Sequence, residues 1–317
     1  MRKIALAAVL CYALLVLTGA AVRLTGSGLG CSDWPSCYAH RLTAEVFFHP
    51  LVEFTNRLIT ILVTVVSGLA WLATLLRSPR RRDLCWLAGG LVAGVVIQIP
   101  LGGLVVLTKL NPYLVACHFL ITIAILAIAV AFFHAAGIDA SHDETRVVPL
   151  VGNDLRMLAR ILLAALGVVT CVGTLVAGAG PHAGAPETAQ QPIQRIPIAF
   201  RDIAALHSDA ALFLIGLSLA SLFAFRRGAV PALVYSRLRL LFEMLVIQGA
   251  LGYLQYSLHD SAVVIEVHML GVTCLWITAV AFYLSLHEHP ESVEEPVGDE
   301  PVPAADPLPR RNVVTTG

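Results

Sequence analysis

Charge is scarce in this chain. Asp, Glu, Lys and Arg make up 13% of its 317 residues, and 21 basic side chains offset 21 acidic ones to a net charge of +0. That balance leaves no basic surface for nucleic acid. Long polar stretches are few as well, with 57% of residues hydrophobic and a mean hydropathy of +0.80. Such values exclude the soluble classes and fit a polytopic membrane protein with lipid as its surroundings. A cleavable signal peptide is not expected, because Met1-Arg2-Lys3 leads into an apolar run long enough to span and stay. Clustered thiols are missing too. Five of the 7 cysteines (Cys11, Cys85, Cys117, Cys171 and Cys274) fall in or beside apolar runs, where they read as small buried hydrophobes, so a thiolate zinc site is excluded.

What the chain has is length of apolar run. Hydropathy predicts spans at 4–24, 51–76, 84–107, 113–135, 158–178, 203–225, 239–257 and 262–286, the seventh interrupted by Glu243. Basic residues gather on alternate connections: Arg2 and Lys3, then Arg77 and Arg80 to Arg82, then Arg146 and Arg156, then Arg226, Arg227 and Arg237. The positive-inside rule therefore places both termini in the cytoplasm, with the chain in the cell membrane. Cys31 and Cys37 then lie outside, in a loop rich in turn formers (Gly26-Ser27-Gly28-Leu29-Gly30-Cys31-Ser32-Asp33-Trp34-Pro35-Ser36-Cys37). There a disulfide persists, and the bridge is expected, with a pair of free thiols as the alternative.

The chain repeats itself. Gln98-x-x-Leu101-Gly102 returns as Gln248-x-x-Leu251-Gly252, His118 returns as His268, Asn56 aligns with His207, and Gly26-Ser27-Gly28 aligns with Gly178-Ala179-Gly180. Matches at nearly one offset indicate a tandem duplication. The predicted fold is an all-α integral membrane protein. Eight transmembrane helices form two tandem four-helix bundles, related by a pseudo-twofold axis along the membrane normal. The expected divisions are a first bundle over 1–136, a cytoplasmic linker over 137–157, a second bundle over 158–286, and an acidic, proline-rich tail over 287–317 expected to be disordered.

Polar side chains inside the spans mark candidate sites. The nonapeptide His49-Pro50-Leu51-Val52-Glu53-Phe54-Thr55-Asn56-Arg57 opens the second span with a carboxylate, an amide and a guanidinium. An interfacial Glu–Arg pair that merely ends the helix is the plainer alternative. Of the 11 histidines, His40, His142, His182, His287 and His289 lie in polar segments and His134 and His259 at helix ends. Besides His49 of the nonapeptide, that leaves His118, His207 and His268, each about six residues inside its span, or roughly 9 Å from the outer end at 1.5 Å per residue. Asn56 sits at a similar depth. Imidazoles from facing helices of a four-helix bundle can hold a haem iron from both sides, and His207 with His268 forms such a pair. Arg57, Arg23 and Arg201 lie where they could meet haem propionates.

With these residues in view the chain resembles the haem A synthases of respiratory membranes over residues 1–286. The likeness rests on Gly26-Ser27-Gly28-x-Gly30-Cys31, Cys37, Glu53-x-x-Asn56-Arg57 and the three histidines at equal depth, and Gly178-Ala179-Gly180-Pro181-His182-Ala183-Gly184 looks like the actinobacterial branch. The resemblance implies oxidation of a ring methyl of haem O to the formyl group of haem A. It implies haem b on His207 and His268, substrate haem on His118, Glu53 as the catalytic carboxylate, and Cys31–Cys37 as a disulfide beside that pocket. Haem O synthase and cytochrome oxidase assembly are the implied partners. Asn56 departs from the family pattern, since many members carry a fourth histidine there and an amide is a poor iron ligand. His49, one turn before Glu53, is expected to relay protons outward, with a plain interfacial histidine as the alternative. The competing functions are a di-haem cytochrome b that only transfers electrons and, third, a transporter. The spans show no paired broken helices of the kind a transporter would need.

Overall fold

The computed structural model describes residues 1–38, 41–138, 148–185 and 193–288. Within them run eight long helices: α1 (Arg2–Leu24), α2 (Phe48–Leu75), α3 (Arg82–Leu107), α4 (Pro112–Ala136), α5 (Asn153–Ala179), α6 (Phe200–Arg227), α7 (Ala232–Ser257) and α8 (Ala262–Leu284). Seven of them are long and apolar enough to cross a membrane, and the chain is a multi-pass helical membrane protein. The exception, α7, keeps its helix over the full length but carries Arg237, Arg239 and Glu243. Arg239 and Glu243 pair at 3.3 Å on the exposed face, and Arg237 donates to the Ala281 carbonyl of α8 at 2.8 Å. Large apolar side chains such as Leu10, Ile61, Val96 and Phe213 point outward, as helices surrounded by hydrocarbon require.

Each helix packs against its sequence neighbours. α1 also meets α4, which closes a ring α1–α2–α3–α4, and α5 meets α8, which closes a second ring. In each ring the second and fourth helices are diagonal. Between the rings α4 packs on α8, α1 on α8 and α4 on α5. The connections at one end repeat as well. After α3, Lys109 and Leu110 take positive φ of 56° and 61°; after α7, His259 and Asp260 take 53° and 58°. The closing bond runs from Leu110 N to Val105 O at 2.8 Å in one and from Asp260 N to Gln255 O at 2.9 Å in the other. Asn111 then caps α4 by accepting from Tyr113 N and Leu114 N, with Pro112 at a position where no N–H is needed.

The solid cores occupy the half of each bundle away from the Cys31–Cys37 loop. The first is built on Ala5, Tyr12, Val63, Leu84, Leu91, Leu126 and Phe132, the second on Leu162, Leu214, Phe225, Leu238, Leu275 and Phe282. Within the first core Tyr12 Oη pairs with Ser67 Oγ at 3.0 Å, an interhelical bond contributing about 0.6 kcal/mol in a bilayer. The other half, where glycines and polar residues interrupt the apolar faces, holds the candidate site.

Two features lie at the ends of the expected linker. Helix α5 begins at Asn153, inside the stretch expected as linker, because Gly152 and Asp154 start a helix ahead of the apolar run. A short strand β1 (Val148–Pro149) pairs antiparallel with β2 (His287–Glu288), so the end of the linker and the start of the expected tail are tied together. The rest of the tail, with His40, His142 and His289, lies outside the described residues.

Candidate functional site

Four residues set the level of the site. Asn56, His118, His207 and His268 lie on α2, α4, α6 and α8, six to eight residues from helix ends that share one side, or about 9–12 Å along each axis. Because α2 and α4 are diagonal in one ring and α6 and α8 in the other, Asn56 stands across from His118 and His207 across from His268.

The neighbours of each imidazole are alike. A Cβ on Gly102 of α3 would come within 3.3 Å of His118 Cε1, one on Gly173 of α5 within 3.0 Å of His207 Cε1, and one on Gly252 of α7 within 3.4 Å of His268 Cε1. A side chain at Gly173 or Gly102 would crowd its ring, whereas one at Gly252 would only touch it. Nδ1 of all three histidines is buried without a hydrogen-bond partner. The turn carrying the ring is pinned from the next helix. Gln98 Nε2 donates to the His118 carbonyl at 2.8 Å, and Gln248 Nε2 donates to the His268 carbonyl at 2.9 Å. The repeated glutamines and glycines were visible in the sequence; their service to the histidines emerges when α3 meets α4 and α7 meets α8.

Asn56 has a different partner. Thr18 of α1 donates its hydroxyl to Asn56 Oδ1 at 2.8 Å. Nothing local in the sequence joins these residues, although a threonine in a span already invites a search for its acceptor.

Above this level sits the loop after α1, closed by the Cys31–Cys37 disulfide with both half-cystines buried. Glu53, 5% exposed, holds it. Its Oε2 accepts from Cys31 N at 2.7 Å and its Oε1 from Arg57 Nη2 at 2.7 Å. The same guanidinium donates to Asp33 O at 3.0 Å and Ser36 O at 3.1 Å. Glu53 and Arg57 are therefore an ion pair four residues apart whose remaining bonds clasp the bridged loop onto α2. Charge-assisted bonds in a site screened from water are far stronger than an exposed helical pair. Trp34, which sequence reasoning passed over, lies from this loop against Gly103 of α3, where a Cβ would sit 2.5 Å from its ring. The ring thus rests on the residue after the glycine behind His118.

His49 Nδ1 pairs with Ser27 Oγ at 3.0 Å, and Ser27 Oγ with Thr25 Oγ1 at 2.8 Å. Among the described residues no hydrogen bond joins His49 to Glu53. Gly30 is obligatory beside it, since a Cβ would meet the His49 carbonyl at 2.4 Å. Of the other cations, Arg201 is exposed, whereas Arg23 is committed to backbone: it donates to the carbonyls of His182 and Ala177 on the second ring. His182 in turn meets the Asp260 carbonyl at 2.9 Å, so that histidine staples two loops.

The bridge makes one expectation concrete. Maleimide should leave Cys31 and Cys37 unlabelled in intact cells until reductant is added; labelling without reduction would show free thiols.

Fold and site together define a multi-pass helical membrane protein with imidazoles at one depth in two rings of four helices. A family model described as "Cytochrome oxidase assembly protein" matches residues 2–208, and the chain belongs to this COX15-CtaA family. The match ends one residue beyond His207. Among similar proteins are the heme A synthases of Listeria welshimeri, 32% identical over 179 residues (53% of this chain, 55% of that protein), and of Bacillus pumilus, 29% identical over 174 residues (51% and 54%). That of Geobacillus kaustophilus is 35% identical over 107 residues, 33% of each chain. The chain spans about half the length of the curated relatives it matches.

Proposed function

We propose that this protein is a haem A synthase, oxidising a methyl group of haem O to the formyl group of haem A. The observation that carries the proposal is the set of imidazoles at one depth on diagonal helices, joined to relatives that bear this name. The repeated turns and exchanged contacts between rings support two tandem bundles about a pseudo-twofold axis. The first takes the substrate haem and the second a resident haem b, over the divisions 1–136 and 158–286. Asn56 in place of a fourth histidine marks the actinobacterial-type variant. The termini face the cytoplasm and the disulfide loop faces outward in the cell membrane, where haem O synthase and cytochrome oxidase assembly are the partners.

The second ring fits haem b. Two facing imidazoles each have Nδ1 sealed from water, which leaves Nε2 as the atom that would ligate iron. Haem b bound there supplies single-electron transfer. In the first ring His118 holds the substrate. Glu53, fixed by Cys31 N and Arg57, would stabilise positive charge developing on the substrate, and the lone pair left on each oxygen would accept a released proton. Arg57 orients that carboxylate and would supply positive charge for the propionates of a bound haem. A protein that only transferred electrons would have no use for a buried carboxylate clasped to a disulfide loop. Cells supplying haem O test the reading: haem A should accumulate with the chain present, whereas unchanged haem O with a reducible b-type spectrum would support a di-haem cytochrome.

A further inference from the structure

The two rings are alike except across one diagonal. In the second, both facing positions are imidazoles; in the first, His118 faces Asn56. We infer that the substrate haem is held by His118 alone and that its other face takes a small exogenous ligand of the carbon monoxide class, with the Asn56 amide as hydrogen-bond donor. The inference rests on the haem assignment just proposed and deepens it.

The Thr18 contact decides which end of the amide is available. A threonine hydroxyl has one proton, and its shortest acceptor here is Asn56 Oδ1 at 2.8 Å, ahead of the helical carbonyls of Leu14 at 3.1 Å and Leu15 at 3.4 Å. With that proton on Oδ1, the remaining polar group of Asn56 is its NH2, which donates and offers iron no lone pair. An oxygen already engaged is a weaker ligand still. Nor does Glu53 substitute, because it lies about one turn nearer the helix end than Asn56 and its two oxygens are turned to Arg57 and Cys31. His49 lies about two turns nearer the helix end, roughly 10 Å along the axis from Asn56, and its Nδ1 is paired with Ser27. Among the described residues of the first ring, no other histidine lies at this depth.

The consequence is a pair of haems with different coordination, high-spin and reactive in the first ring, low-spin and closed in the second. Carbon monoxide titration of the reduced, haem-loaded protein reads this directly. The wild type should take up carbon monoxide to about half of its total haem, since a haem with two imidazole ligands has no open position. Asn56→His should turn the first haem low-spin and lose that uptake, and His118→Ala should remove the reactive haem altogether. Thr18→Val should shift the C–O stretching frequency by freeing the amide to turn. A wild type that is wholly low-spin and takes up no carbon monoxide overturns the inference, as does Asn56→His with uptake unchanged; an unshifted frequency in Thr18→Val overturns the part given to the amide. Uptake needs no turnover. A protein that binds carbon monoxide through its His118 haem but makes no haem A would keep this inference and lose the synthase reading, and one that makes haem A while wholly low-spin would do the reverse.

Discussion

Replacing His207 or His268 by alanine should remove most of the b-type absorbance from membranes in which the protein still inserts. Each ring is a ligand candidate by position and burial, yet neither is a keystone of packing. Gly173 of α5 faces the His207 ring and Gly252 of α7 the His268 ring, and the second core lies farther along the bundle around Leu162, Leu214 and Phe282. Removing an imidazole therefore leaves the helices their main packing while taking away one of two axial ligands. Insertion is measured by the amount of full-length chain in the membrane and ligation by the reduced-minus-oxidised spectrum. Normal haem b in both variants would end the assignment of this pair.

The second large effect concerns Glu53. Glu53→Ala should retain haem O but lower haem A formation by about 10²–10⁴-fold, the usual worth of a positioned acid–base group. It also strands two donors, Cys31 N and Arg57 Nη2, and breaking a buried pair from one side costs about 3–5 kcal/mol. Alanine thus perturbs loop and chemistry together, and Glu53→Gln separates them. Glutamine still accepts from Cys31 N through its one oxygen and so keeps the direct bond to the loop, losing only the bond from Arg57, and it neither carries charge nor takes up a proton. If the carboxylate acts on the substrate, Glu53→Gln should be nearly as slow as Glu53→Ala. Near-normal haem A from the glutamine variant would reduce Glu53 to a clasp for the disulfide loop.

Much of this architecture was legible before any coordinates, for a simple reason. In hydrocarbon every backbone polar group must be paired internally, so a long apolar run is a helix whatever its neighbours do. The spans accordingly fell within a few residues of the helices except where charge enters them. Helix α7 starts at Ala232 and not near 239 because Arg237 finds a carbonyl on α8 and Arg239 a partner in Glu243. The depth of His118, His207 and His268 and the Gln98/Gln248 repeat also followed from counting along the chain. What could not be counted were partners far apart in sequence. Thr18 on Asn56, Trp34 on Gly103, and Arg23 on the His182 carbonyl each depend on how helices and loops meet. The Glu53–Arg57 spacing showed a helical ion pair but gave no sign that its outer bonds belong to Cys31, Asp33 and Ser36. The proton relay expected of His49 illustrates the same limit, since the helical register that placed it near Glu53 could not reveal Ser27 as its partner.

The most direct test of the account is the haem extracted from cells that supply haem O and express either the wild-type chain or His118→Ala. The first ring as the place of oxidation predicts haem A from the wild type. From the variant it predicts haem O alone, with b-type absorbance from the His207–His268 pair preserved in both. Haem O unchanged in wild-type cells, beside a normal reducible b-type spectrum, would contradict it.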